Sequence, residues 1–87
     1  MTFAEEFDEL IVGKNVMTPH RIECGELHGD WLYELCEGTG MRNDAIFGVS
    51  IARRGVPHRL FTDYSGLFRS ERAAREYIET VQPEMPL

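Results

Sequence analysis

The sequence predicts a single α+β domain over residues 1–87: an antiparallel four-stranded sheet with two amphipathic helices, in the order α-β-β-β-β-α. Apolar residues recur at helical spacing only near the two ends of the chain. Between those ends they alternate at strand spacing, interrupted by Gly-, Asp- and Pro-containing turns. A length of 87 residues leaves room for one domain, burying about 60–65% of the surface its unfolded chain would expose. Short links between strands favour a meander, with the apolar stripes of both helices covering one face of the sheet.

The first helix is predicted over residues 3–12. Thr2 and Glu5 have capping-box spacing. Phe3, Phe7, Leu10 and Ile11 form one stripe, with Glu5, Glu6, Asp8 and Glu9 on the opposite arc. Acids this close to a helix start also suit its dipole. Gly13 is the expected stop, and Pro19 makes residues 16–19 a connector. A strand follows over 20–27, where Ile22 and Cys24 alternate with polar residues, and a second spans 31–37. A two-residue turn at Gly29-Asp30 would place Cys24 opposite Leu35 and Ile22 opposite Glu37. Trp31, Tyr33 and Leu35 then share a side, and Cys36 points away from Cys24. Residues 38–44 read as a loop. Phe47, Val49 and Ile51 mark a third strand over 45–53, and Arg54-Gly55 turns the chain. Val56, His58 and Leu60 suggest a fourth strand, with Pro57 at an edge, followed by a loop over 63–66. Ser70 caps a second helix whose inner stripe is Ala73, Ala74, Tyr77, Ile78 and Val81, ending before Pro83.

Composition excludes several classes. With 43% apolar and 28% charged residues the chain is not of disordered type. Its apolar runs fall far short of the ~20 residues of a membrane helix. The opening Met1-Thr2-Phe3-Ala4-Glu5-Glu6 has neither a basic nor an apolar leader segment, so a cytoplasmic location is expected. The formal charge of −6 argues against general nucleic-acid binding, which needs a Lys/Arg surplus. That charge is unevenly divided. Residues 1–40 carry nine acids against Lys14 and Arg21, a balance of −7, whereas residues 41–87 carry six acids against seven arginines, a balance of +1.

Few residues suggest chemistry. His20, Cys24, His28 and Cys36 are the one candidate metal set, but extended-strand spacing puts them about 13 Å apart per four residues. No short two-cysteine knuckle is present, so neither metal nor cofactor is expected. Gly38-Thr39-Gly40 precedes a strand rather than a helix, unlike a phosphate loop. His58, Asp63, Ser65 and Ser70 supply ingredients for nucleophilic catalysis without a recognised arrangement, and the domain is too small for both a core and a large cleft. The expectation is a protein that is not an enzyme.

Two charged surfaces remain. Arg53, Arg54, Arg59 and Arg72 could grip phosphates or carboxylates, although Glu71, Glu76 and Glu79 are interleaved with the helical arginines. Trp31, Tyr33, Tyr64 and Phe68 offer an aromatic surface for self-association. The acidic face is the stronger feature: Glu5, Glu6, Asp8 and Glu9 as primary contacts, Glu34 and Glu37 as secondary ones. A row of carboxylates can imitate phosphate spacing and occupy a basic groove.

The tract from Tyr33 to Gly40, with residues 46–51 and 68–78, resembles small phage-borne or prophage-borne reading frames. Among these, short acidic single-domain products are often anti-defence proteins, including the anti-CRISPR inhibitors. The resemblance is one of size, charge and style over residues 33–78, and it carries over no functional residue and no fold. It implies a protein partner with a basic nucleic-acid-binding surface, in a complex whose access to nucleic acid the bound protein would block. Direct nucleic-acid or membrane contact is not expected.

Overall fold

A computed structural model of the chain describes residues 1–11, 16–27, 29–56 and 65–82. The elements follow the predicted order: α1 Phe3–Leu10, β1 His20–Glu26, β2 Trp31–Thr39, β3 Ala45–Arg53, β4 Ser65–Phe68 and α2 Glu71–Thr80. The strands form one antiparallel sheet in chain order, β1-β2-β3-β4.

Both helix starts form as their sequences dictate. The Glu5 amide donates to Thr2 Oγ1 at 3.2 Å and the Thr2 amide donates to Glu5 Oε1 at 3.1 Å, which completes the capping box. The Ala73 amide donates to Ser70 Oγ at 3.1 Å at the start of α2. α1 ends at Leu10, two residues short of the predicted end, because Ile11 turns to extended backbone (φ −112°, ψ 125°). Gly13 and Pro83, the predicted stops, lie outside the described residues.

β2 and β3 pair without interruption from Trp31↔Arg53 to Thr39↔Ala45 and form the spine of the sheet. Four expectations need correction around that spine. The fourth strand is Ser65–Phe68, which takes in the last two residues of the loop expected over 63–66, pairing Phe47↔Phe68 through Ser50↔Ser65; the predicted strand residues 57–60 lie outside the described residues. The first hairpin closes with the Leu27 amide on the Trp31 carbonyl at 2.9 Å, leaving three positions rather than two in its turn. Gly29 there has φ +72°, a value glycine adopts without penalty. That one-residue shift rotates β1 by half a pleat, so Cys24 faces Glu34 and Glu23 faces Leu35. Cys24 and Cys36 consequently share a face instead of opposing one another.

The fourth correction concerns layering. Side chains alternate across a strand, and the two helices use opposite faces. On one face Leu35, Val49 and Ile51 are buried with Ala74 of α2, and Trp31, Tyr33, Phe47, Phe68, Tyr77, Ile78 and Val81 pack around them. On the other, Phe7 of α1 is buried with Leu32 and Ala52, flanked by Leu10, Ile11 and Cys24. Full burial of Phe7, Leu32, Leu35, Val49 and Ile51 contributes about 1.5–3 kcal/mol of transfer free energy each. The sheet is therefore the middle of three layers.

Candidate functional site

The acidic helix is built around three consecutive residues. Phe7 is 2% exposed and fills the socket formed by Leu32 and Ala52. Successive helical residues point about 100° apart, so Glu6 and Asp8 flank Phe7, and each meets an arginine. Arg54 Nε donates to Glu6 Oε2 at 2.7 Å while its Nη1 donates to Glu26 Oε2 at 2.7 Å. Arg21 Nη2 donates to Asp8 Oδ1 at 2.5 Å and its Nε donates to Glu34 Oε2 at 2.7 Å. Two guanidiniums thus bridge four carboxylates and clamp α1 to the sheet on both sides of its apolar anchor.

A backbone irregularity positions one clamp. The register of β1 shifts between Arg21 and Glu23, which leaves Ile22 as the extra residue of a bulge, 39% exposed. Without that residue, Arg21 and Cys24 would point to opposite faces. With it, Arg21 pairs across from Cys36 and lies under α1 beside Glu34. The other clamp follows from the β3 turn. Arg54 continues the alternation of Ala52, and its amide donates to the Asp30 carbonyl at 2.8 Å, tying the two hairpin ends together.

Electrostatics agree with this geometry. The Arg54 hydrogen bond holds the Glu6 carboxyl below its ordinary range. The Arg21 guanidinium is pushed further up by its bond to Asp8, and Arg54 by its bonds to Glu6 and Glu26. Burial pushes the Cys24 thiol up to about 11 and the Cys36 thiol higher still. Both are free thiols, and with so little thiolate at neutral pH they are poor nucleophiles. Across the sheet, Tyr33 Oη donates to Glu23 Oε2 at 2.5 Å and Arg75 Nη1 donates to the same oxygen at 3.4 Å. Burial, then the Glu23 bond, pushes the Tyr33 phenol up to about 12.

The predicted acidic face therefore divides. Glu5 and Glu9 remain exposed on the outward side of α1. Asp8 keeps 61% of its side chain exposed despite its clamp, whereas Glu6 keeps 27% and Glu34 only 14%. Glu6 is thus not the freely solvated residue its helical position suggested. Glu37 is exposed but projects to the α2 face of β2, opposite Phe47. Around α1, six carboxylates (Glu5, Glu6, Asp8, Glu9, Glu26, Glu34) meet two guanidiniums (Arg21, Arg54), a balance of −4 among these side chains.

The arginine cluster does not assemble into one surface. Arg54 is engaged under α1, Arg53 is half-buried opposite Trp31, and Arg72 is 90% exposed beside Glu76 at 3.4 Å. Arg59 lies outside the described residues. Of the aromatic set, Trp31, Tyr33 and Phe68 pack against the α2-side core, Phe68 with its ring 5.2 Å from that of Tyr77; Tyr64 lies outside the described residues. Among the described residues no three His, Cys, Asp or Glu side chains converge as a metal site; His28 and the His58 and Asp63 of the catalytic set are not among them. No described helix is long and apolar enough to cross a membrane.

Comparisons with known proteins leave this geometry to speak for itself. No protein-family model, curated protein or solved structure matches the chain. Two functional features were missed in the sequence, the clamping roles of Arg21 and Arg54. The position of Arg21 as the sole arginine beside nine acids in residues 1–40 is the one signal that could have pointed to the first.

Proposed function

We propose that this protein is a non-enzymatic binding module that sets the outward ridge of α1 against a basic protein surface, and that the partner belongs to a nucleic-acid-handling defence complex whose access to nucleic acid it blocks. Glu5 and Glu9 are the primary contacts and Asp8 a third. Glu6 and Glu34 act from behind by holding the clamps that fix the ridge. The observation that carries this reading is the side-chain balance of −4 around α1 that remains after both guanidiniums have been counted. Charge on a helix anchored at three consecutive residues is presented in a fixed arrangement, which lowers the ordering cost of binding.

The test uses tagged protein to retain a nucleic-acid-binding complex from host lysate at ~0.1 M salt, followed by a DNA competition on that complex. Glu5→Gln with Glu9→Gln keeps the capping hydrogen bond and removes two outward charges. The reading requires retention and DNA displacement by the native chain, both lost in the double variant while it keeps a cooperative thermal transition and native circular dichroism. Retention that survives the double variant refutes the ridge. Direct binding of a DNA duplex at ~50 mM salt, weakening as salt rises, would instead favour a regulatory module that binds nucleic acid or an acidic partner through Arg53, Arg54, Arg59 and Arg72.

A further inference from the structure

We propose that α1 is an ionically latched flap, which opens as a local unit when its clamps are screened and uncovers Leu32, Ala52 and Cys24 while the sheet and α2 stay folded. The inference stands on the fold and is independent of what binds the outward ridge. The apolar cores of the two faces are separate clusters of buried residues, Leu35, Val49, Ile51 and Ala74 on one side and Phe7, Leu32 and Ala52 on the other, with Cys36 and Thr18 buried outside both. Departure of α1 therefore uncovers the smaller cluster and leaves the larger one intact. Phe7 is the one fully buried side chain that α1 contributes; Leu10 is half-buried. Ile11, at the end of the helix, adds a half-buried apolar contact, and the other ties of α1 to the sheet are ionic: Arg21 to Asp8 and Arg54 to Glu6, with the two guanidiniums held in turn by Glu34 and Glu26. Both arginine side chains are about one-third exposed, at 33% and 32%, so salt screens these contacts more than it weakens apolar packing. A helix of eight residues does not persist once undocked, so opening and melting of α1 coincide.

Cys24 reports the event, since its half-buried thiol packs against the Phe7 cluster. The experiment follows amide hydrogen exchange and site-resolved alkylation of Cys24 by iodoacetamide, at ~0.05 M and ~1 M sodium chloride. High salt should raise α1 exchange and Cys24 alkylation by about fivefold, the scale of breaking two partly exposed ion pairs, while α2 and β2–β3 amides keep their protection. Arg21→Met should give part of the rise, about twofold, already at low salt and reduce the salt response to the share left with the Arg54–Glu6 tie. Should that variant fail to fold, Asp8→Asn removes the same tie from its exposed end. Phe7→Ala should open the flap at every salt concentration. Exchange of α1 in step with β2–β3 under all conditions overturns the proposal, as does an α1 exchange rate indifferent to salt and to loss of the Arg21–Asp8 tie.

Discussion

Leu35→Ala tests the three-layer arrangement most directly. Leu35 is 0% exposed at the centre of β2, cross-strand from Glu23 and Val49, and belongs to the cluster that α2 closes with Ala74. Neighbours on both flanking strands and on the helix restrict collapse into the space left behind, which places the cost at the upper end for such changes, about 3–5 kcal/mol. For 87 residues, an unfolding entropy of about 2.1 cal/mol/K per residue sums to ~0.18 kcal/mol/K, so the melting temperature should fall by about 16–27 °C. The whole domain is worth roughly 4–13 kcal/mol at this length, so the loss removes a large share of that stability and, at the low end of the range, all of it. Urea unfolding followed by circular dichroism measures the loss, with Leu67→Ala as the comparator. Leu67 is 51% exposed on the opposite face of β4 and should cost no more than about 0.5 kcal/mol. A loss below ~1 kcal/mol at Leu35, or equal losses at the two sites, would refute the assignment of the main core to the α2 face.

Gly38→Ala places a Cβ against the Met17 carbonyl and 2.8 Å from Thr18 Cα, backbone that must shift, at about 1–3 kcal/mol in the same urea assay. Gly29→Ala meets nothing within 4 Å and costs only its φ of +72°, about 1–2 kcal/mol. At alkaline pH the folded chain holds protons on Cys24, to about 11, and on Tyr33, to about 12, more tightly than the unfolded chain. Stability is thus fully present below the ordinary thiol and phenol values and falls as pH rises through the folded ones. Tyr33→Phe should flatten the part of that decline belonging to the phenol, read by thermal melts across pH. Glu6 behaves oppositely, because Arg54 holds its carboxyl below 4.5. Its contribution is present above that value and lost as pH falls, so Glu6→Gln should flatten the acid limb of the stability curve.

Element types were legible because they rest on local rules. The Thr2–Glu5 box, the Ser70 cap and the alternation of Phe47, Val49 and Ile51 specify two helices and a strand without reference to tertiary structure. What escaped is what depends on parity. One additional residue in the turn before Trp31 moves Cys24 from opposite Leu35 to opposite Glu34, and the bulge at Ile22 then returns Arg21 to the α1 side. Neither feature leaves a mark in composition, and together they decide which charges meet. Glu6 and Asp8 read as solvated for the same reason: helical periodicity shows that they flank Phe7, but not that arginines from residues 21 and 54 wait beside them. The face covered by each helix was likewise beyond reach, since both stripes are apolar and either side of a meander can accept one.

The strand order of the sheet has a consequence for how the chain reaches its native state. Because β1, β2, β3 and β4 lie side by side in the order of their synthesis, each pairing closes a loop to the strand made just before it. Closure entropy is then paid in small instalments, and no strand must await a distant partner. Such a topology favours rapid folding for a sheet protein. It also permits the first three strands and α1 to assemble before residues 65–82 have been made, so that an acidic helix docked on a meander could precede completion of the second face. The clamp residues Asp8, Arg21, Glu34, Glu6, Glu26 and Arg54 all fall within the first 54 positions, so that early unit would already carry every charge that fixes α1.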